Sequence, residues 1–202
     1  MLMILLPILS KHSKKFNASV SKTSNASCNS QSNGAITFKV ENFDATEGFD
    51  YSVDNGVTYI NSKISPVTTA AVFGAGDHTI LVRKTNTASC GAITLTQKIT
   101  EPAVLATSAS ITTPITCNNP VATITASAVG GTPTYEYQLE NTSGTIIAAY
   151  QTATKFENIT AGDYIVRSKD LNNCTDPIDT AIKVVTPVNP TFTAVASTCY
   201  SG

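Results

Sequence analysis

Among the residue types of this sequence, cysteine gives the clearest indication of a chemical role. Its 202 residues include five cysteines: Cys28, Cys90, Cys117, Cys174 and Cys199. Neither a Cys-x-x-Cys pair nor a His-Glu-x-x-His motif is present to hold zinc. Cysteines that recur at matching places without metal-ligand spacing predict disulfide bonds, which form outside the cytoplasm. We therefore expect an extracellular protein or one on the outer cell surface.

The carboxylates offer a second kind of chemistry. Asp163, Asp170, Asp176 and Asp179 lie close together in the sequence, and oxygen-rich loops between β-sandwich modules can bind calcium. Their spacing does not match a calcium-binding loop. We predict no metal site and no cofactor. The alternative is a calcium-dependent junction, which would need carboxylates that converge near residues 101 to 106.

Tyrosines are the third group of candidates. Tyr135 and Tyr137 share one face of an alternating strand, which points either into the core or toward a ligand, so they are the candidate ligand-facing residues. Tyr164 follows a glycine turn and is expected to be the corner tyrosine of a β-sandwich, a structural role. His78 occupies the equivalent position in an earlier stretch of the chain and is assigned the same role.

Catalytic motifs are absent from the sequence. A serine hydrolase would need a Gly-x-Ser-x-Gly turn, and none occurs. Gly74-Ala75-Gly76 resembles the start of a phosphate loop, but such a loop must lead into a helix and no helical pattern follows. We predict that the protein is not an enzyme and has no catalytic residue.

The elements that must position these residues occur twice. Tyr51 precedes Gly76 by 25 residues (76 − 51), and Tyr137 precedes Gly162 by 25 residues (162 − 137). The cysteine that opens each copy recurs after 89 residues (117 − 28) and 82 residues (199 − 117). A period of this length is that of a small domain, so the chain is an array of modules. We expect a leader or linker at 1–15, repeats at 16–102 and 103–187, and a truncated third repeat at 188–202.

Hydrophobic alternation with a period of two predicts strands, and turn residues separate them at short intervals. In the first copy we place strands near 16–26, 34–41, 49–53, 57–61, 67–73, 78–85 and 92–100. About seven short strands in about 85 residues are typical of an immunoglobulin-like β-sandwich. The predicted fold class is all-β, with tandem immunoglobulin-like β-sandwich modules.

Composition narrows the choice of partners. Charged residues make up 13% of the chain and the net charge is −1. Nucleic-acid binding needs a patch of Lys and Arg, so this class of partner is excluded. The apolar N-terminus, residues 1–9, is too short to span a bilayer, which takes about 20 residues. It is either a signal peptide without a basic start or an arbitrary start within a longer gene.

The motifs of the second copy resemble a known family. They are Gly130-Gly131-Thr132-Pro133-Thr134-Tyr135, Ala161-Gly162-Asp163-Tyr164 and Asp170-Leu171-Asn172-Asn173-Cys174. This pattern is similar to the SprB-type repeats of surface adhesins from gliding Bacteroidetes. The first copy departs from it, with Asp44-Ala45-Thr46-Glu47-Gly48 in place of the Gly-Gly-x-Pro turn. The resemblance implies a large repetitive cell-surface or secreted protein and no particular ligand.

The pairing of the cysteines has more than one solution. Joining Cys28 to Cys90 and Cys117 to Cys174 would close loops of about 60 residues, each worth about 4 kcal/mol. In an immunoglobulin topology, however, the loop after the first strand and the loop before the last strand lie at opposite ends. Either the first strand is shifted or the bridges join neighbouring modules. Cys199 is expected to be unpaired, because its mate would lie beyond Gly202.

The sequence favours a non-enzymatic fragment of a repetitive surface adhesin, acting as a stalk or as a multivalent adhesive tract. Its expected partners are surface glycans or other cell-surface components, and neighbouring repeats of the same chain. The alternative is a carbohydrate-binding accessory module of a secreted hydrolase. That alternative requires Tyr135 and Tyr137 to form a solvent-facing platform.

Overall fold

Alternation of apolar and polar residues produces the strands of this protein. In β2 (Ala35–Glu41), the side chains of Ile36, Phe38 and Val40 are buried and those between them are not. Successive side chains of a strand point to opposite faces, so an alternating segment buries one face only. The computed structural model describes residues 15–85 and 91–188, and in those ranges it contains strands, turns and irregular segments but no helix.

The chain divides into two compact units between Pro102 and Ala103. We call residues 15–102 the first module and residues 103–188 the second module. The expected leader and the expected third repeat lie outside the described residues, except for their innermost positions, Lys15 and Val188. Cys90 and Cys199 also lie outside the described residues.

The first module consists of two antiparallel sheets. One has the strand order β1-β2-β5 and the other β4-β3-β6-β7. The remaining strands are β1 (Asn17–Ser24), β3 (Phe49–Ser52), β4 (Ile60–Ser62), β5 (Val67–Thr68), β6 (Gly76–Lys84) and β7 (Ile93–Ile99).

The second module repeats this topology. Its sheets have the orders β8-β9-β12 and β11-β10-β13-β14, which are the orders of the first module with each strand number raised by seven. The strands are β8 (Ala106–Thr113), β9 (Ala122–Val129), β10 (Glu136–Asn141), β11 (Ile146–Gln151), β12 (Lys155–Ile159), β13 (Gly162–Lys169) and β14 (Thr180–Val184). The prediction of an all-β fold with tandem immunoglobulin-like β-sandwiches is confirmed.

A matched irregularity supports the repeat. The pairing of β1 with β2 shifts between Val20 and Lys22, and the pairing of β8 with β9 shifts between Ile111 and Thr113. The extra residue carries a hydroxyl in both cases, Ser21 or Thr112, and donates to a carbonyl of the partner strand. A shift of this kind is a β-bulge, which bends the edge strand. The pairing of β10 with β11 also contains two register shifts.

Each module has its own hydrophobic core between its two sheets. In the first module, Phe38 of β2 lies edge-on to Phe49 and Tyr51 of the facing sheet, with ring centroids 6.5 and 5.3 Å apart. In the second module, Ile124 of β9 is fully buried in the cluster that contains Leu139 and Val166. Each sheet therefore gains stability by covering the other, since burying apolar surface is the main favourable term in folding.

The fourth strand begins later than predicted. We placed it at 57–61, and β4 spans Ile60–Ser62. The cause is Asp54, whose carboxylate accepts hydrogen bonds from the backbone N–H and hydroxyl of Thr58 and from the hydroxyl of Ser52. These bonds hold residues 54–58 in a turn and lower the pKa of Asp54 to about 2.

Phe38→Ala tests the first core. We expect it to lower the free energy of unfolding by about 3–5 kcal/mol, because it removes a fully buried ring and leaves a cavity. Urea denaturation followed by circular dichroism measures the change. The control is Val57→Ala, whose side chain is 82% exposed and should leave stability unchanged. A loss below about 1 kcal/mol for Phe38→Ala would contradict the assigned core.

Candidate functional site

The motif residues of the second module gather around one buried carboxylate. Asp170 follows β13, is 4% exposed, and accepts hydrogen bonds from three backbone N–H groups. The donors are Thr132 at 2.7 Å, Asn172 at 2.9 Å and Cys174 at 2.9 Å. Asp170 therefore fixes its own loop and ties that loop to the Gly-Gly-x-Pro turn. A buried carboxylate is tolerated only when it is hydrogen-bonded in this way.

Two glycines make this approach possible. Gly130 and Gly131 have positive φ angles of 77° and 56°. A Cβ on Gly130 would lie 2.0 Å from the carbonyl oxygen of Val104, and one on Gly131 would lie 2.8 Å from a carboxylate oxygen of Asp170. No larger side chain fits either position without displacing the backbone or the carboxylate.

The turn and the loop are also attached to the start of the second module. Gly131 donates its N–H to the carbonyl of Ala103, and Asp176 accepts the N–H of Thr107. Burial raises the pKa of Asp176, but hydrogen bonds from Thr107 and Ile178 outweigh this effect and hold it below its usual value. The motif-bearing end is therefore a connected network of backbone and carboxylate groups.

The four aspartates predicted as calcium candidates do not converge. Asp163 lies 3.6 Å from Lys183, and Asp179 pairs with Arg167. The carboxylates of Asp170 and Asp176 accept hydrogen bonds from backbone N–H groups. Among the described residues, no group of three or more metal-binding side chains is found.

Of the two directions considered for Tyr137, toward the core or toward a ligand, the structure has the first. Its side chain is 5% exposed and belongs to the core, and this burial raises the pKa of its phenol. Tyr135 is half-buried, and its hydroxyl donates to the carbonyl of Gly130 at 2.6 Å. The shared face of the two rings is the inward one, because β10 packs that face against the other sheet. The two tyrosines do not form a solvent-facing platform.

Tyr164 and His78 occupy matching positions. Tyr164 is 7% exposed, and its hydroxyl donates to the carbonyl of Thr160 at 3.0 Å. A ring nitrogen of His78 lies 2.8 Å from the carbonyl of Gly74, which is also four residues earlier. His78 additionally packs against Phe73, with ring centroids 4.5 Å apart. Each ring thus connects the start of its strand to the preceding loop by a hydrogen bond. How much each ring contributes to the free energy of unfolding stays a prediction.

The expected pairing of Cys117 with Cys174 is wrong. Cys117 is an exposed free thiol, whereas Cys174 and Cys28 are each in a disulfide bond. The reason is the length of β8. The loop of Cys174 is bound at Thr107 near the start of β8, and Cys117 follows its end, which places them about 20 Å apart at 3.3 Å per residue. The expected pairing of Cys28 with Cys90 involves a residue outside the described ranges.

The first module has a different loop at the position of the Gly-Gly-x-Pro turn. Asp44 accepts hydrogen bonds from Thr46 and from the N–H of Glu47, which close a local hairpin and lower the pKa of Asp44. Beside this hairpin lies an open cleft of about 410 Å³. It is lined by Asn42, Phe43, Asp44, Glu47, Gly48, Lys84 and Thr85.

The sequence analysis did not predict an ion pair that occurs at the same register on the four-stranded sheet of each module. Asp50 pairs with Arg83 across β3 and β6, at 3.4 Å, and Arg83 lies 3.6 Å from the ring centroid of Tyr59. In the second module, Glu136 pairs with Lys169 at the equivalent register, and Lys169 lies 4.8 Å from the ring of Tyr150. Aligning the two copies strand by strand would have found the carboxylate and the cation. The aromatic partner is not at matching sequence spacing.

Comparison with known protein families finds one match, which lies within the second module. Residues 109–144 match the family model of the SprB repeat, as the motifs predicted. This segment includes the Gly-Gly-x-Pro turn and both strands that flank it. No curated protein sequence matches the chain. Among the described residues, no helix is long and apolar enough to cross a membrane.

Several solved structures are similar to the chain at low sequence identity. The fibronectin(III)-like modules of Clostridium thermocellum CbhA are 11% identical, with 84% of this chain and 95% of that chain covered and a TM-score of 0.34. A C-terminal fragment of intimin, in complex with the intimin-binding domain of its receptor Tir, is 12% identical, with 85% and 63% covered and a TM-score of 0.34. The BSP domain of a biofilm-associated protein is 16% identical, with 85% and 30% covered and a TM-score of 0.30.

Asp170→Ala tests the buried carboxylate. We expect a loss of about 3 kcal/mol or more in the free energy of unfolding, because three backbone N–H groups lose their acceptor. Thermal and urea denaturation measure it. Asp163→Ala is the matched control, since it removes only an exposed ion pair worth less than about 1 kcal/mol. Equal losses in the two variants would refute the role of Asp170.

Tyr164→Ala tests the corner position. It should cost about 3 kcal/mol or more through the loss of a buried ring, and His78→Ala should cost less because less apolar surface is removed. Tyr164→Phe should cost about 1 kcal/mol, the value of one hydrogen bond. Chemical denaturation midpoints give the order. If Tyr164→Ala left the midpoint unchanged, the ring would not be part of the core.

Proposed function

We propose that this chain, in which residues 109–144 match the SprB repeat, is part of a non-enzymatic cell-surface protein and acts as a stalk or multivalent adhesive tract. The observation that carries the proposal is the exact repetition of one sandwich topology in two consecutive modules. Repetition adds length and copies of a surface without adding new chemistry.

The short connection between the modules supports a stalk. Six residues, 100–105, separate the end of β7 from the start of β8. Glu101 accepts hydrogen bonds from Asn29 at 3.0 Å and from the N–H of Ser30 at 2.7 Å, within the first module. Ala103 accepts the N–H of Gly131 within the second. The connection is hydrogen-bonded at each end to the adjoining module and contains Pro102, so few of its backbone angles are free to change.

The use of polar side chains supports a non-catalytic role. Asp170, Asp176 and His78 each bind backbone groups of their own module, so they are committed to holding loops. A general acid or base must instead be within reach of a substrate. The inward position of Tyr137 likewise gives the carbohydrate-binding accessory role no support.

The disulfide-bonded cysteines support an extracellular location, since disulfides persist in oxidising compartments. The proposed partners are surface glycans or other cell-surface components. Each contact is weak, and attachment arises from many modules that bind together. Linking modules can raise overall affinity by about 10²–10⁴ without any new contact.

A density-dependent binding assay tests the adhesive role. The chain, biotinylated at its C-terminus and with Cys117 alkylated, is applied to a glycan array as a monomer and as a streptavidin tetramer. We expect retention of the tetramer at concentrations about 100-fold or more below those the monomer needs. Streptavidin without the chain is the control. A monomer retained as well as the tetramer on one glycan would indicate a single high-affinity lectin site and overturn multivalency.

A further inference from the structure

We propose that Asn55 is a site of spontaneous deamidation, at which the backbone and water convert its side-chain amide to a carboxylate. The sequence contains two Asn-Gly pairs, Asn33-Gly34 and Asn55-Gly56. Glycine favours this reaction because no Cβ hinders the approach of its backbone nitrogen. Both pairs lie in the first module, but only Asn55 has its side chain available to react. The proposal goes beyond the proposed function and does not depend on it.

The reaction is an intramolecular substitution with no change of oxidation state. The backbone nitrogen of Gly56 loses its proton to water and forms a bond to Cγ of Asn55. The side-chain nitrogen takes up a proton from water and leaves as ammonia, which closes a cyclic imide. Water then opens the imide, at the side-chain carbonyl to give aspartate or at the main-chain carbonyl to give isoaspartate. Either product carries a carboxylate that is negatively charged at neutral pH.

The side chain of Asn55 is available because nothing holds it. It is exposed, and among the described residues no hydrogen bond to its amide group is found. Asn55 and Gly56 have positive φ angles of 56° and 88° and lie in the turn between β3 and β4. The side chain of Val57, which follows them, is 82% exposed. A loop with so few buried contacts opens locally without unfolding of the module.

One hydrogen bond limits the attack. Gly56 donates its N–H to the hydroxyl of Ser52 at 2.8 Å, and that hydroxyl donates to the carboxylate of Asp54 at 2.7 Å. The attacking electron pair is the one left on nitrogen when this proton departs, so Gly56 must first release Ser52. The rate at Asn55 therefore depends on how often this bond opens.

The other Asn-Gly pair is held at both reacting groups. The side-chain nitrogen of Asn33 donates to the hydroxyl of Ser27 at 2.6 Å and to Gln31 at 3.1 Å. Its side-chain oxygen accepts the N–H of Ser27 at 2.9 Å. Gly34 is buried and exchanges two backbone hydrogen bonds with Phe73. Reaction at Asn33 thus requires the loss of several hydrogen bonds together.

Peptide mapping after incubation measures both sites in one sample. The folded chain is incubated at neutral pH in water enriched in heavy oxygen, then reduced, alkylated and digested with trypsin in ordinary water. The isotope marks conversions that occur during the incubation and not during digestion. Peptide 40–63 contains Asn55 and peptide 23–39 contains Asn33. Tandem mass spectrometry locates the converted residue within each peptide.

We expect Asn55 to convert at least about 10-fold faster than Asn33 in the folded protein, because Asn33 must lose several more hydrogen bonds. In guanidinium chloride the two sites should convert at comparable rates, since only the shared Asn-Gly sequence then remains. Equal rates at the two sites in the folded protein, or no conversion at Asn55, would overturn the proposal.

Two variants provide a second measurement. Ser52→Ala removes the acceptor of the Gly56 N–H and should raise the rate at Asn55 by about 2- to 10-fold, the value of one hydrogen bond, while Asn33 keeps its rate. An unchanged rate at Asn55 would overturn the role of Ser52. Asn55→Gln should remove the conversion from peptide 40–63, because the longer side chain forms the ring more slowly. If conversion of that peptide persists, the reacting residue is another asparagine and the assignment is wrong.

Discussion

The buried carboxylate of Asp170 is the interaction on which the motif-bearing end of the second module depends. An ion removed from water costs several kcal/mol unless its hydrogen bonds are replaced. Here the replacements are backbone N–H groups from two segments, and they converge only when both segments have their native shape. Gly130 and Gly131 then become necessary because nothing larger fits between the carboxylate and the start of the module. One charge thus explains why the glycine turn and the aspartate occur in the same copy.

The first module has the same sheet order as the second but a different loop at the position of the Gly-Gly-x-Pro turn. The carboxylate of Asp44 accepts hydrogen bonds from residues two and three positions later, so these bonds lie within the hairpin itself. An open cleft lies beside the hairpin. The strands and the sheet order are unchanged by this exchange. The sandwich therefore fixes the path of the chain, and the loops at the module end vary independently of it.

The strands could be predicted from the sequence because a period of two reports directly on which face is buried. Tyr164 and His78 were found through their place after a glycine turn, which is a local signal. The direction of Tyr137 was not predictable, because alternation shows that Tyr135 and Tyr137 share a face but not which face is inside. The role of Asp170 was hidden for a different reason. Its partners include Thr132, 38 residues away, and only the fold brings them together.

The register shifts between β10 and β11 have a consequence for proteins that carry many such modules. β11 is an edge strand, its Ile146 and Ile147 are about half exposed, and residues 142–154 contain no charged side chain. A flat edge of this composition would pair with the same edge of a neighbouring copy and nucleate aggregation. The shifts interrupt the regular ladder of N–H and C=O groups that such pairing requires. Crowded copies of the module can therefore remain separate even though their edges are chemically identical.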